Sequence, residues 1–265
     1  MDFIKKNIAN IFTLANLTAG FIGIIAVMYS DVFIQAGMLT QKSFIVRHGS
    51  IIIGSYLVFV SAFFDFFDGF IAKLLKTTSE FGKQLDSLAD IVSFGVLPAM
   101  ILHNLILRSN HEWSLFIFKI PALSLLPVII VLSSAIRLAK FNIQSSKSYF
   151  NGLPTPANAI FWASIPLVLN NDLYVFGYKT LYLDNFISNP FLLSFVAIVL
   201  VALMLVNIPM LSFKFNGFAF KDNFYKYLLI ISFLILFAIF YFLAIPLTII
   251  LYIFISIIFK EKIKN

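Results

Sequence analysis

The chain has 265 residues, of which 61% are hydrophobic, 17% aromatic and 12% charged, against about 45–50% apolar and about 25% charged in an ordinary soluble domain. So few polar side chains cannot cover a water-soluble globule of this size, and the composition specifies an integral membrane protein. Zero cysteines exclude disulfides, thiolate catalysis and Cys-ligated metal, and the formal charge of +7, spread thinly between apolar runs, forms no nucleic-acid-binding domain and points to anionic lipid or phosphate.

In chain order, apolar runs separated by polar clusters predict eight helices, at about 8–29, 49–75, 85–107, 120–141, 156–170, 187–208, 224–243 and 245–260. The first follows Lys5-Lys6 as a secretory leader does. It is long, however, carries Asn10 and Asn16 and has no obvious cleavage site, so it reads as retained. The fifth run is short and leaves seven crossings open. The last two meet at Ala244-Ile245-Pro246 and are expected to form a tight hairpin. With no internal repeat, low-complexity linker or soluble appendage, residues 1–265 read as a single integral membrane domain: a core over about 8–208 and a C-terminal hairpin over about 224–260.

Orientation follows from sorting the 19 Lys and Arg residues by side. One side collects Lys5, Lys6, Lys73, Lys76, Lys83, Arg137, Lys140, Lys147, Lys214, Lys221, Lys226, Lys260, Lys262 and Lys264; the other holds Lys42, Arg47, Arg108, Lys119 and Lys179. The richer side is the cytoplasmic one, which places both termini, and the loop between the second and third helices, in the cytoplasm of a multi-pass cell-membrane protein. The Lys260-x-Lys262-x-Lys264 tail reads as a contact to lipid headgroups. The Phe surplus suits a lipid-facing surface.

That cytoplasmic loop is flanked by acids. Residues 65–90 read DFFDGFIAKLLKTTSEFGKQLDSLAD, with Asp65 and Asp68 ending one apolar run and Asp86 and Asp90 opening the next. Spacings of three and four put each pair on one helix face, and a short turn allows all four to converge. Each Asp costs about 2.5–3.5 kcal/mol at a helix centre and less near the interface, and mutual repulsion adds to this. A single Asp at a helix end is ordinarily a solvated cap; four with this phasing call for compensation. Hard divalent cations, Mg²⁺ or Mn²⁺, suit an all-oxygen pocket. Gly69 and Gly82 each remove a side chain where a bulky ligand could approach the backbone, although glycine also serves helix packing.

The pattern Asp65-x2-Asp68-Gly69-x2-Ala72-Lys73-x8-Gly82-x3-Asp86-x3-Asp90 resembles the signature of the CDP-alcohol phosphotransferases, with Lys73 where that family usually has Arg. The resemblance implies an all-α polytopic membrane protein with a six-helix core, usually a homodimer, that displaces CMP from a CDP-linked lipid with an alcohol. It also implies that Asp65, Asp68 and Asp86 chiefly hold two metal ions, while Asp90 borders the metals and acts as general base. Metal ions bridged by carboxylates suit a pyrophosphate, and a remaining carboxylate suits removal of the acceptor's proton.

Further segments resemble the phosphatidylserine synthases within that family. They are Asp86-Ser87-Leu88-Ala89-Asp90-Ile91-Val92-Ser93-Phe94-Gly95, then Ser134-Ala135-Ile136-Arg137-Leu138-Ala139-Lys140-Phe141-Asn142 with Lys140 for a second Arg, then Phe150-Asn151-Gly152-Leu153-Pro154-Thr155-Pro156-Ala157. Asn10-Ile11-Phe12-Thr13-Leu14-Ala15-Asn16 is similar to the family's P-N-x-x-T opening, with Ala9 in place of Pro. Beyond about residue 170 the sequence is generic membrane sequence. The implied substrates are CDP-diacylglycerol and L-serine, giving phosphatidylserine and CMP.

Read by their own chemistry, these segments leave choices. Arg137 can fork onto a serine carboxylate, grip a phosphate or CDP, or simply follow the positive-inside rule. Asn10 and Thr13 share a helix face and can bond cytidine or its phosphates, or a neighbouring helix. Ser93, three past Asp90, can contact acceptor or metal-bound water, or bond back to its own helix. Gly152-Leu153-Pro154-Thr155-Pro156 reads as a stiff turn. His103, His48 and His111 lie away from the site. Lys73, Arg137 and Lys140 are the cations nearest the aspartates, too few to decide between serine and the runner-up acceptors, glycerol 3-phosphate or an inositol derivative. A cation-coupled transporter is the alternative from another class, disfavoured because four of the 12 acids sit in one hairpin and no repeat is present.

Overall fold

The computed structural model describes residues 2–35, 49–75, 79–109, 115–117, 120–143, 150–170, 174–175, 178–179, 185–211 and 223–259. The sequence readings of Lys42, Arg47, His48, Lys76, His111, Lys119, Lys147, Lys214, Lys221 and the tail lysines lie outside these residues.

Helices run over Asp2–Gln35 (α1), Gly49–Leu74 (α2), Glu80–Asp90 (α3), Leu97–Leu107 (α4), Val128–Ile143 (α5), Thr155–Asn170 (α6), Pro190–Leu205 (α7), Phe224–Phe240 (α8) and Ala244–Ile258 (α9). A π-helical turn, Ile91–Val96, joins α3 to α4, so that the two form one run matching the third expected helix. Each of the eight expected helices thus has its counterpart. Five stretches among the described residues are long and apolar enough to cross a membrane: Asn7–Tyr29, Ser50–Leu74, Glu80–Leu107, Ala122–Ile143 and Phe224–Ile258. The chain is an all-α polytopic membrane protein.

Helix ends depart from the hydropathy reading where polar residues extend a helix. The third run begins at Glu80 rather than near 85, because Ser79 caps it: in extended conformation, its hydroxyl accepts from the Gly82 N–H at 3.0 Å. α1 continues through Ala9 back to Asp2, since Ala leaves the helix unbroken where the related motif carries Pro. The last two helices do form a hairpin, with the rings of Tyr225 and Phe259 at their open ends 4.6 Å apart and tilted by 33°. Its turn falls at Tyr241, whose φ is 50°, three residues before the expected Ala244.

α6 lies at the centre. Trp162, Ala163 and Val168 are fully buried, and it packs against α2, α4 and α9. A helix apolar all round belongs inside others, which explains how the shortest run can be the core. Around it, Phe21, Phe63, Phe66, Phe195 and Phe254 point outward, the expected lipid-facing belt.

The Gly152-Leu153-Pro154-Thr155 turn has a specific task. Residues Phe150–Asn151 pair antiparallel with Pro209–Met210, the Gly152 N–H donates to the Ile208 carbonyl at 2.8 Å, and the Leu153 N–H donates to the Leu203 carbonyl at 2.9 Å. The end of α7 is thereby capped by the segment that starts α6. Gly152 has φ +72°, and a Cβ there would sit 2.6 Å from the Met204 carbonyl oxygen.

Candidate active site

One face of α1 organises the site. Asn10, Thr13, Asn16 and Gly20 recur at spacings of three, three and four, so they line one stripe. The Thr13 hydroxyl donates to Asp68 Oδ2 at 2.8 Å, and the Asn16 side-chain amide donates to Asp90 Oδ1 at 3.1 Å. Gly20 then lets the π-turn approach: a Cβ at this position would lie 2.8 Å from Ser93 Cα. Through that gap the Ser93 hydroxyl reaches the Asn16 carbonyl at 3.0 Å, which also accepts from Ser61 at 3.3 Å.

The end of α2 and the middle of α3, both packed on α1, bring three of the acids together. One carboxylate oxygen from each of Asp65, Asp68 and Asp86 lies within 4.8 Å of the others. Asp68 and Asp90 are buried, Asp65 and Asp86 half-buried. The bonds that Asp68 and Asp90 accept from side chains of α1 come from neutral groups. A buried Oδ1 of Asp86 has no hydrogen-bond partner. Three convergent carboxylates with an unpartnered oxygen need a cation more than they need another hydrogen bond. The cluster can hold a metal ion.

Beside it lies a cavity of about 430 Å³. Of the residues the sequence analysis singled out, Asn10, Thr13, Gly69, Ala72 and Gly82 line it, together with Asp68 and Asp86. At Gly69 a Cβ would meet nothing within 4 Å, so the backbone there faces open space. Ser79 and Lys83 also line the cavity and were not anticipated. The Lys83 ammonium donates to the Asn142 carbonyl at 2.6 Å, and the Asn142 amide donates to Ser87 at 2.9 Å, tying α3 to the end of α5.

Other expected residues do not line this cavity. Lys73 and Lys140 are exposed. Ser93 is buried and bonded to the α1 backbone, neither to its own helix nor toward the cavity. Arg137 stands apart on α5, donating from Nη1 to the Thr155 hydroxyl at 3.1 Å, with its buried Nε unpartnered. His103 contacts the Ser124 carbonyl at 2.6 Å, away from the aspartates as expected. Asn16, which meets Asp90, was likewise not among the expected site residues, although its three-residue step beyond Thr13 marked it.

Comparison with known proteins gives these features a context. A 125-residue stretch is 37% identical to a CDP-diacylglycerol–serine O-phosphatidyltransferase of Methanocaldococcus jannaschii, covering 47% of this chain and 56% of that one. A second of that name, from Bacillus subtilis, is 33% identical over 122 residues, covering 45% and 63%. A third, from Helicobacter pylori, is 29% identical over 208 residues, covering 77% and 72%. The chain thus spans less than two thirds of the length of the first two. The family described as CDP-alcohol phosphatidyltransferase matches residues 6–260. With that match reaching over nearly the whole chain, the protein belongs to the CDP-alcohol phosphatidyltransferase family.

Proposed function

We propose that the protein transfers the phosphatidyl group of CDP-diacylglycerol to the hydroxyl of L-serine, giving phosphatidylserine and CMP. The observation that carries this reading is the convergence of Asp65, Asp68 and Asp86 beside a cavity lined by the α1 polar face and the Gly69 backbone. Relatives named for this reaction supply the acceptor.

The carboxylate set fits hard divalent cations, two Mg²⁺ or Mn²⁺ ions held chiefly by Asp65, Asp68 and Asp86 with Asp90 at their border. When bound, such ions neutralise a pyrophosphate and stabilise charge on a departing phosphate oxygen. The chain's own groups do the rest. Asn10, Gly69, Ala72 and Gly82 give the CDP moiety room and polar contact. Thr13 fixes Asp68. Asp90, held by Asn16, takes the proton of the acceptor hydroxyl as its oxygen bonds to the phosphatidyl phosphorus. The bond from that phosphorus to the bridging oxygen breaks, and its electron pair leaves on CMP. Arg137 offers its unpartnered Nε to the acceptor. The distribution of lysine and arginine puts this chemistry, with both termini, on the cytoplasmic face of the cell membrane, and the family resemblance favours a homodimer.

Purified protein with Mg²⁺, CDP-diacylglycerol and labelled serine should release CMP and a labelled lipid in equal amounts. Product with glycerol 3-phosphate or an inositol derivative but none with serine would keep the chemistry and remove the acceptor. No CMP release with any alcohol would remove the reading.

A further inference from the structure

Asn16 is fully buried, and its two amide ends are used unequally. Nδ2 is committed to Asp90 Oδ1 at 3.1 Å, whereas Oδ1 is buried without a partner. An orphaned acceptor of this kind is destabilising unless a donor arrives. Because one amide carries both ends, the empty acceptor sits beside the carboxylate proposed to receive the acceptor's proton.

Other orphans occur on the elements packed around the same π-turn. Ser134 Oγ on α5 is unpartnered, and a Cβ on Gly95 of the π-turn would be 3.2 Å from Ser134 Cβ. Arg137 Nε, one turn further along α5, is a buried donor without an acceptor, and so is Asn158 Nδ2, one turn past Thr155 on α6. An amino acid brings an anionic group that such donors can bind and an ammonium that the Asn16 oxygen can accept from. A phosphorylated or neutral polyol has no cation to offer the amide oxygen.

We infer that Asn16 determines acceptor specificity: its Nδ2 steadies Asp90 while its Oδ1 accepts from the ammonium of an amino-acid alcohol. This rests on the proposed function and extends it to a residue and a chemical group. The test compares serine with 3-hydroxypropanoate, which is serine with hydrogen in place of the ammonium, using the full chain in detergent with Mg²⁺. Wild-type protein should favour serine about 10- to 100-fold in kcat/KM, the scale of one hydrogen bond to a charged group. In Asn16→Ala both acceptors slow, since Asp90 loses its donor, but the serine preference collapses toward unity while KM for CDP-diacylglycerol is unchanged. Taking the ratio cancels the shared loss.

Equal use of both acceptors by wild type overturns the inference without any variant. So does a preference that survives intact in Asn16→Ala, which would leave Asn16 holding Asp90 and a water. Should Asn16→Ala no longer bind CDP-diacylglycerol, the same ratio is read in Asn16→Leu, which fills the space without an acceptor: collapse supports the inference and an intact preference overturns it. Failure of the proposed function looks different: no serine lipid at all from wild type.

Discussion

The carboxylate of Asp90 and the side-chain amide of Asn16 meet at 3.1 Å although 74 positions separate them in the chain. Three residues earlier on the same helix, Thr13 holds Asp68. A single helix therefore grips one acid from each side of the aspartate hairpin, and the two bonds differ in what their loss should do.

Asp90→Asn should lower turnover by about 10²–10⁴-fold, the usual contribution of a general base, with CDP-diacylglycerol binding largely kept. Asp68→Asn should instead weaken metal-dependent binding of the CDP-lipid. Separate measurements of CMP release and lipid binding check the pair, and equal mild losses in both would contradict the assigned roles.

Thr13→Val keeps the shape of the side chain and removes its donor. Asp68 is then left buried with one bond fewer, and a hydrogen bond to a charged group is worth about 1.5–3 kcal/mol. KM for CDP-diacylglycerol should rise about tenfold or more, with KM for serine little changed. Steady-state kinetics with each substrate varied in turn decide the matter.

Chelation should abolish activity, and Mg²⁺ or Mn²⁺ should restore it, because Asp65, Asp68 and Asp86 are left repelling one another when no cation is bound. Adding metal should also raise the thermal midpoint in detergent, since binding to the folded form stabilises it. A midpoint indifferent to metal would speak against the cluster as the binding site.

Gly20→Ala introduces a Cβ 2.8 Å from the Ser93 backbone. The π-turn must then move away from α1, carrying Asp90 from Asn16. We expect kcat to drop by at least about tenfold, in keeping with the sensitivity of catalysis to small misplacements. CDP-lipid binding, which rests on the cavity-lining residues Asn10, Gly69, Ala72 and Gly82 rather than on the π-turn, should persist in an equilibrium assay.

Gly152→Ala should cost about 1–3 kcal/mol, from the left-handed backbone and the 2.6 Å approach to the Met204 carbonyl. The loss should appear as a lower thermal midpoint. Thr155 sits at the start of α6, immediately after this cap, and accepts from Arg137 of α5, so KM for serine should rise as well.

Much of this was legible in the residues. Overall apolarity and the length of the apolar runs specify helices in a bilayer, because lipid leaves backbone groups no partner outside a helix or closed barrel. The spacing of Asp65 with Asp68, and of Asp86 with Asp90, puts each pair on one helix face, because helical phase is a local property of the chain. Asn10 and Thr13 were visible for the same reason.

Contacts between distant segments were not legible. Nothing local says that Ser93 turns to the α1 carbonyl, that Lys83 ties α3 to Asn142, or that Arg137 stands off the aspartate cavity against Thr155. Nor could hydropathy rank the short fifth run as the centre, since an apolar helix reads alike whether lipid or protein surrounds it. Sequence thus determined the medium, the helices and the chemistry-bearing faces, all set by periodicity and composition. Tertiary packing decided which faces meet, and with that the one amide oxygen left without a partner beside Asp90.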